Sequence, residues 1–322
     1  AWRALEGTAP SHFFRGWTWL GTLLEHLPDD HRPDVLRVSQ GQTTIALALV
    51  WQRRQRRHRG LLRPRALHLN ESGIADFDRV TIEHNGLLCV PGAEAAAVAA
   101  ALRHLRLRPA WDELELGGLT TPQHQAWHTA ASGCGLGFRE RWTKPYFFID
   151  LQAARLAGKD YLEALGPNTR YQARRSMRLY AQQGALVCER PESLAQALDW
   201  LERLAALHQA QWQARGHAGA FATAYTRHFH QRLVETGWPR GEVDLLHVRA
   251  GERTLGYVYN FVAGDVTYNY QSGHVAESDP KLKAGLACHC MAVDDALRRG
   301  MATYDLLMGG EHFKASLTTG RG

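Results

Sequence analysis

The sequence has few cysteines and no long apolar run. Five cysteines among 322 residues are too few and too scattered for a disulfide framework. Cys288 and Cys290 point to different sides of a predicted helix, which favours small buried thiols over metal ligands, and we expect no metal site. No uncharged apolar stretch reaches the ~20 residues that cross a bilayer. These absences exclude a disulfide-stapled scaffold and predict no membrane span.

Several chemical signatures are also missing. The 17 histidines include no HExxH pattern and no metal-type spacing with the cysteines. GxxxxGK[ST] and GxSxG are absent, which argues against a P-loop nucleotide site and a hydrolase nucleophile elbow. The start of the chain, AWRALEGTAP, lacks the basic residues and apolar stretch of a signal peptide. We therefore expect a cytoplasmic protein.

Positive charge is concentrated in one short segment. The net charge is +6, and residues 51–65 (WQRRQRRHRGLLRPR) hold seven arginines and no acidic residue, so the rest of the chain is near neutral. This distribution argues against a protein that coats nucleic acid. The segment is predicted to form a long hairpin loop, and we interpret it as a docking surface for a phosphate-bearing or acidic partner.

An internal repeat predicts two related halves. DVLRVS and TTIALALVW, from Asp34, align at a constant offset with DLLHVR and TLGYVYNF, from Asp244. Each pair of strands is followed by a helix and then by a strand that ends in Gly-Gly, WDELELGG or TYDLLMGG. The alignment places Glu113 opposite Asp305. The shared order of elements indicates a duplication.

The second half predicts the fold class most clearly. Three strands, VDLLHVR, RTLGYVYNFV and VTYNYQSG, form a meander with glycine-containing turns. A helix from about Ala284 and a strand at 302–308 follow. Helices precede the meander at about 159–183, 191–214 and 221–237, with breaks expected at Pro167 and at Gly216 to Gly219. We predict an α/β (α+β) fold with mixed, largely antiparallel sheets flanked by helices. With a linker at roughly 150–158, the predicted domains are 1–150 and 151–322.

Several blocks of the sequence resemble one family. NTRYQARRSMRLY, LHQAQWQARGHAGAF, GYVYNF with YNYQSG, DP with GLACH, and YDLLMGGEHFKASL lie at 168–180, 207–221, 256–273, 279–289 and 304–317. They are similar to the bacterial CelD-like, cellulose-biosynthesis-associated branch of the GNAT N-acyltransferases, which resembles the Fem-type aminoacyl transferases. LNESG with DRVTIEHNGLL, at 69–88, is similar to the N-terminal half of the same branch. The resemblance implies two tandem GNAT-like domains, with an active cleft between or beside them.

The resemblance also implies a donor site. In GNAT enzymes an acyl thioester lies against a splayed strand, and its pyrophosphate binds the N-terminus of the next helix, usually introduced by (Q/R)xxGx(G/A). The matching segment is KLKAGLA at 281–287, with Leu282 where the pattern has Gln or Arg. The donor would be acyl-CoA or an acyl-carrier-protein thioester, with lysines as point charges for phosphates. The candidate donor-binding residues are Lys281, Lys283, Gly285, Leu286 and Ala287.

Acyl transfer to an amine requires a base, and an acid for the leaving thiolate. Asp305 lies within the apolar run YDLLM, where burial would raise its pKa towards that of a base. The alternative is a structural carboxylate that pairs with Lys314 or a backbone group. Tyr268 and Tyr270 share a strand face by alternation, and either could protonate the thiolate or simply pack within the sheet.

Other side chains are candidates for acceptor binding. Glu83 and Asn85 interrupt two apolar runs in IEHNG, at a position similar to the acceptor site of the family, although a turn stabilised by Asn and Gly explains them equally. His208 and Trp212 share a helix face and could line the cleft or pack in the core. The full set of candidates is Glu83, Asn85, His208, Trp212, Gln271 and Lys314.

Arg170, Arg174 and Arg178 follow helical spacing and form a basic stripe. Such a stripe is either a solvated face or a docking surface for an acidic carrier protein, an acidic substrate or tRNA.

The sequence thus predicts an N-acyltransferase that moves an acyl group, other than an aminoacyl group, from acyl-CoA or an acyl-carrier protein to a primary amine of a small molecule or peptide. Two alternatives stay open. The arginines favour a Fem-like transferase that uses aminoacyl-tRNA. Leu282 favours a non-catalytic, partner-binding GNAT-like protein.

Overall fold

The chain divides into two compact units, Ala1–Thr143 and Lys144–Gly322. The computed structural model describes residues 1–9, 12–57, 59, 61–108 and 110–321, with the backbone alone at 311 and 321. The boundary lies before the strand YFFID, whereas a boundary at residue 150 would assign that strand to the first unit. The strand is hydrogen-bonded within the sheet of the second unit, which explains the difference.

The first unit is a five-stranded sheet with helices. Its helices are α1 (Trp2–Glu6), α2 (Trp17–His26), α3 (Glu94–Leu107) and α4 (Thr121–Gly133). Its strands are β1 (Asp34–Gln40), β2 (Thr43–Arg54), β3 (Arg65–Leu69), β4 (Leu88–Cys89) and β5 (Glu113–Glu115). The strand order is β1-β2-β3-β5, with β4 also paired with β2. Strand β5 is parallel to β3, and the other pairs are antiparallel.

Hydrophobic periodicity determines how this unit packs. Strand β2 is buried through its middle, in agreement with its continuous apolar sequence. The small and apolar residues Ala97, Ala101 and Leu105 recur along one face of α3 and are buried in the core with Trp127 of α4. The Ala-rich face allows α3 to lie close to the sheet.

The second unit contains a seven-stranded sheet. Its helices are α5 (Leu151–Leu156), α6 (Tyr161–Ala164), α7 (Pro167–Ala181), α8 (Leu194–Gln213), α9 (Ala224–Gly237), α10 (Ala284–Arg298) and α11 (Glu311–Leu317). Its strands are β6 (Tyr146–Asp150), β7 (Leu186–Glu189), β8 (Val243–Ala250), β9 (Arg253–Ala263), β10 (Val266–His274), β11 (Thr303–Met308) and β12 (Gly320–Arg321). The order is β12-β6-β11-β10-β9-β8-β7. Strands β10 and β11 are parallel, and the other neighbours are antiparallel.

The meander, the helix from Ala284 and the last long strand are confirmed. The break expected at Pro167 within 159–183 is confirmed, because Pro167 begins a new helix after α6. The linker expected at 150–158 is wrong, since the side chain of Asp150 accepts a hydrogen bond from Ala153 N and caps α5. Among the described helices, none is both long enough and apolar enough to cross a membrane.

The two units share one strand order. In each, a meander of three strands is followed by a helix and by a strand that pairs in parallel with the third strand. Glu113 lies beside Ala66 in the first unit, and Asp305 lies beside Tyr268 in the second. The duplication inferred from the sequence therefore corresponds to a repeated topology.

Helices cover both faces of the second sheet. Helix α10 packs on one face, where Val258 and Tyr304 belong to the main core. Helices α8 and α9 pack on the other. Strand β10 lies so close to α8 that a Cβ at Gly273 would collide with the carbonyl oxygen of Leu204. Only glycine fits this crossing without a backbone shift.

Gly273→Ala is expected to lower the free energy of unfolding of the second unit by about 1–3 kcal/mol, because a backbone carbonyl cannot rotate away from the added methyl group. Denaturant unfolding followed by tryptophan fluorescence measures the change. Gly166→Ala is the matched control, since nothing lies within 4 Å of a Cβ at that position. Equal transition midpoints for the two variants would contradict the close packing.

Candidate functional site

Strands β10 and β11 separate after a short parallel ladder. The ladder pairs Val266–Tyr268 with Thr303–Asp305, and both strands continue beyond it. The pairing of β10 with β9 shifts register at Tyr270, and the pairing of β11 with β6 shifts after Asp305. Bulges of this kind increase strand twist, so the two strands diverge and leave a gap between them. We call this gap the splay.

Tyr268 and Asp305 are register partners at the apex of the splay. Both are buried, with 2% and 5% of their surface exposed. Oδ1 of Asp305 accepts a hydrogen bond from the backbone N of Leu307 at 2.7 Å, and Leu307 has a positive φ of 61°. The carboxylate of Asp305 therefore stabilises a strained bulge. This agrees with the alternative that Asp305 pairs with a backbone group in a structural role. The structure nevertheless brings a predicted base and a predicted acid together.

Tyr270 and Gln271 form the bulge in β10. Both lie opposite Tyr259, the usual arrangement of two residues against one. The ring of Tyr270 packs 4.9 Å from that of Phe261 and 5.2 Å from His230, measured between centroids. Tyr268 is the register partner of Phe261, so the two tyrosines share the face covered by α8 and α9. Beyond the bulge, the alternation of side chains between the two faces of the sheet is shifted by one residue. The side chain of Ser272 therefore points towards α10.

The predicted donor segment forms the start of α10. Lys283 is the N-cap residue, and its backbone N donates to Oγ of Ser176 in α7 at 2.9 Å. Lys281 and Lys283 are exposed, whereas Leu286 and Ala287 are buried. The backbone N–H groups of the first turn have no acceptor within the helix, and they lie at the positive end of the helix dipole. An anion could therefore be held here by backbone N–H groups and two lysines.

His274 lies against this helix start. A Cβ at Gly285 would come within 2.6 Å of Nε2 of His274, so glycine is required for the imidazole to lie there. Nε2 of Gln211 lies 2.8 Å from Nδ1 of His274. Because an amide nitrogen donates, Nδ1 accepts, and Nε2 carries the hydrogen that faces α10. His274 therefore offers a neutral N–H donor close to the position where Leu282 lacks one.

His289 is a candidate that the sequence analysis missed. It lies one turn after Gly285 on α10, and its Nε2 is 3.5 Å from Oγ of Ser272 on β10. Burial, reinforced by His274 and Lys314, lowers its pKa to about 3, so the ring is neutral near pH 7. Its Nδ1 has no hydrogen-bond partner among the described residues. The helical spacing from Gly285 is the signal that could have found it.

Lys314 and α11 complete this side of the splay. Nζ of Lys314 donates to the carbonyl of Met308 at the end of β11. The ring of Phe313 lies 5.2 Å from that of His289, centroid to centroid. Residues of β10, α10 and α11 thus converge on the α10 face of the splay.

His208 and Trp212 pack within the second unit. Backbone N of Ala220 donates to Nε2 of His208 at 3.2 Å, so the hydrogen is on Nδ1, which donates to the carbonyl of Ser272 at 3.1 Å. Burial lowers the pKa of His208. Trp212 lies 5.7 Å from the imidazole centroid. His208 therefore ties α8 to β10, which agrees with the packing interpretation of the pair.

Asn85 stabilises a turn in the first unit. It has no exposed surface, and its amide is fully bonded. Its Nδ2 donates to the carbonyl oxygens of Leu69 and Gly117. Its Oδ1 accepts hydrogen bonds from Asn70 Nδ2 and Gly86 N. Acceptor binding through this amide would break two or more of these bonds, so the structure favours the turn interpretation. Glu83, two residues before it, is also buried.

A partly buried acidic pair near this turn was not anticipated. Glu71 lies in a recess lined by Trp19 and Ile82, together with Asp78. Burial and the neighbouring charge of Asp78 raise the pKa of Glu71 to about 7. In the described residues, no group of three or more His, Cys, Asp or Glu side chains could hold a metal ion.

The arginines differ in their environments. Arg174 and Arg178 of α7 are exposed, whereas Arg170 is partly buried and donates to the carbonyl of Glu163. In the first unit Arg57 pairs with Glu113 at 3.4 Å. The residue that corresponds to Asp305 is therefore a half-buried partner of an arginine.

The fold and the site together define a class. A meander, a parallel strand pair that splays, and a helix that begins at the splay are the features expected of a GNAT-like domain, and this strand order is present twice. Residues 167–315 match the family model of the acetyltransferase (GNAT) domain. Most of the second unit thus matches a GNAT acetyltransferase domain, which supports an acyltransferase.

Solved structures agree on the fold. FemX is 11% identical, with a TM-score of 0.66, and the match covers 100% of this chain and 92% of that one. The C-terminal domain of a lysylphosphatidylglycerol synthetase from Agrobacterium fabrum is 12% identical, with a TM-score of 0.51 and coverages of 92% and 76%. L-PGS from Bacillus licheniformis is 11% identical, with a TM-score of 0.52 and coverages of 93% and 76%. No curated protein matches in sequence. At these identities the likeness establishes the fold alone.

Acid should destabilise the second unit through its buried histidines. Burial lowers the pKa of His230 to about 3, as it does for His289. Between pH 6.5 and 3 the unfolded chain binds protons at these rings that the folded chain does not, so the free energy of unfolding falls with falling pH. His230→Gln should reduce this slope by about 1.4 kcal/mol per pH unit.

Denaturant midpoints measured across that pH range give the slope. His228→Gln, at an exposed position on the same helix, is the control and should leave the slope unchanged. A slope in His230→Gln equal to that of the parent protein would contradict the buried neutral state of His230.

Proposed function

We propose that the second unit transfers an acyl group from a thioester donor, acyl-CoA or an acyl-carrier protein, to a primary amine, with the splay as the reaction site. The observation that carries the proposal is the pairing of Tyr268 with Asp305 at the apex, beside the first turn of α10. The blocks that resemble the CelD-like branch support the same assignment.

The start of α10 is suited to the phosphates of the donor. Its first-turn amides and the exposed Lys281 and Lys283 would hold the pyrophosphate, and Nε2–H of His274 would supply the donor that Leu282 lacks. The bound donor supplies an activated acyl group. The strand backbones of β10 and β11 in the splay would orient it.

Polar groups of this chain would then move the protons. The acceptor ammonium must lose a proton before it attacks, and the carboxylate of Asp305 is the candidate to take it. Tyr268 or Tyr270 would donate a proton to the leaving thiolate. Neutral His289, with Nδ1 unpartnered among the described residues, would accept or donate one hydrogen bond on the α10 face of the splay.

Asp305→Asn tests the base. The amide oxygen can still accept from Leu307 N, so the bulge is retained while the base is lost. We expect the rate of thiol release from acyl-CoA in the presence of amines to fall by about 10²-fold or more.

Glu113→Gln is the matched control, because it makes the same change at the corresponding position of the first unit, and it should leave the rate unchanged. An unaltered rate in Asp305→Asn, with the parent protein active, would remove Asp305 from the reaction.

Aminoacyl-tRNA is a second candidate donor. Leu282 replaces the usual Gln or Arg, and the first turn of α10 is largely buried, which leaves less surface for a free pyrophosphate. Helix α7 packs on this turn through Ser176 and exposes Arg174 and Arg178. These arginines could contact a tRNA phosphate backbone near the donor site.

Calorimetry with coenzyme A and filter binding with tRNA separate the two donors. A CoA donor predicts binding that Lys281→Gln with Lys283→Gln weakens, and that Lys159→Gln leaves unchanged. A tRNA donor predicts binding whose logarithm falls linearly with the logarithm of salt concentration, with a smaller slope in Arg174→Gln with Arg178→Gln. Absence of tRNA binding at low salt would reject the second candidate.

A further inference from the structure

The connection between β2 and β3 is a long hairpin, since β2 ends at Arg54 and β3 begins at Arg65. Backbone N of Gln55 donates to the carbonyl of Pro64 at 2.9 Å, and Arg57 and Leu62 exchange hydrogen bonds of 2.9 and 3.2 Å. The corresponding strands of the second unit, β9 and β10, are joined by Gly264 and Asp265 alone. We call the extension, described at residues 54–57, 59 and 61–63, the hairpin arm. Because the second unit forms the same strand order without one, the fold does not require it.

Two leucines occupy the end of the hairpin arm. Leu61 is 86% exposed and Leu62 is 55% exposed. The backbones of Arg57 and Leu62 are hydrogen-bonded to each other across the hairpin arm. Two adjacent exposed leucines form a small apolar surface, and exposed apolar surface beside polar residues is a feature of interaction sites.

Four unpaired arginines accompany the leucines. Arg54, Arg56, Arg59 and Arg63 are exposed, and none forms an ion pair with a residue in the described part of the chain. Arg57, by contrast, pairs with Glu113 and Glu115 of β5. The hairpin arm is therefore tied to β5 by charge pairs, while its leucines and the other four arginines stay exposed.

We propose that the hairpin arm binds the surface of an anionic phospholipid bilayer. Leu61 and Leu62 enter the boundary between headgroups and acyl chains, and the four arginines bind lipid phosphates. Such a mixed apolar and basic surface gains both from buried hydrocarbon and from attraction to anionic lipid. This binding does not depend on the function proposed for the second unit.

The leucines distinguish a bilayer from other anionic partners. A nucleic acid offers phosphates to the arginines but no place for two aliphatic side chains, and the sequence of the hairpin arm has no Phe, Tyr or Trp for base stacking. A stable protein complex buries about 800 Å² on each partner, which two exposed leucines do not provide. A bilayer needs no matching pocket, because its lipids rearrange around an inserted side chain.

The test is sedimentation of the full chain with large unilamellar vesicles. We expect binding to vesicles of equal parts phosphatidylcholine and phosphatidylglycerol, weaker binding at high salt, and no binding to phosphatidylcholine alone. Arg56→Gln with Arg59→Gln should weaken binding about 25-fold, since each arginine near an anionic surface contributes about fivefold. Leu61→Ser with Leu62→Ser should weaken it by at least about tenfold.

Matched variants make the same changes elsewhere in the chain. Arg103→Gln with Arg106→Gln alters two exposed arginines of α3, and Leu107→Ser with Leu156→Ser alters two exposed leucines. Both controls should bind as the parent does, and circular dichroism should show the same fold in all four. Absence of binding to the anionic vesicles at low salt would overturn the proposal. So would an unchanged affinity in Leu61→Ser with Leu62→Ser, because purely electrostatic binding would then suit any anionic partner.

Discussion

The separation of β10 from β11 is the constraint on which the second unit depends. A parallel pair that stayed hydrogen-bonded would satisfy its own backbone groups and leave no gap for a substrate. Bulges on both strands end the pairing after Tyr268 and Asp305. The hydrogen bond from Leu307 N to Asp305 stabilises the bulge in β11 and its positive φ. The carboxylate of Asp305 thus stabilises the bulge that opens the splay. Strained backbone of this kind is commonly found at functional sites.

The two units use one topology for different purposes. Both contain a meander, a helix and a strand parallel to the third strand of the meander. In the second unit the carboxylate on that strand is buried beside a tyrosine, whereas in the first Glu113 pairs with Arg57 and Arg141. The first unit instead carries the hairpin arm and the partly buried pair of Glu71 and Asp78. Fold and chemistry have diverged separately after the duplication, as expected when function depends on sites rather than on architecture.

The limits of sequence reasoning are visible at particular residues. Alternation correctly placed Tyr268 and Tyr270 on one face, because the bulge begins at Tyr270 and not before it. It could not anticipate that Ser272 turns towards α10 and meets His289, since a bulge has no strong local signature. The pattern around Asn85 suggested either a binding site or a turn. Only its four hydrogen bonds, to segments distant in sequence, decided for the turn.

By itself the sequence determined the fold class, the repeated order of elements and the start of α10, because hydrophobic period, turn glycines and helix-start residues act over short distances. It also located the basic segment. Only the tertiary structure decided which residues meet at the splay, which arginines are neutralised and which polar groups are buried. Those outcomes depend on contacts between residues far apart in the chain, where register, bulges and burial select partners that no local pattern encodes.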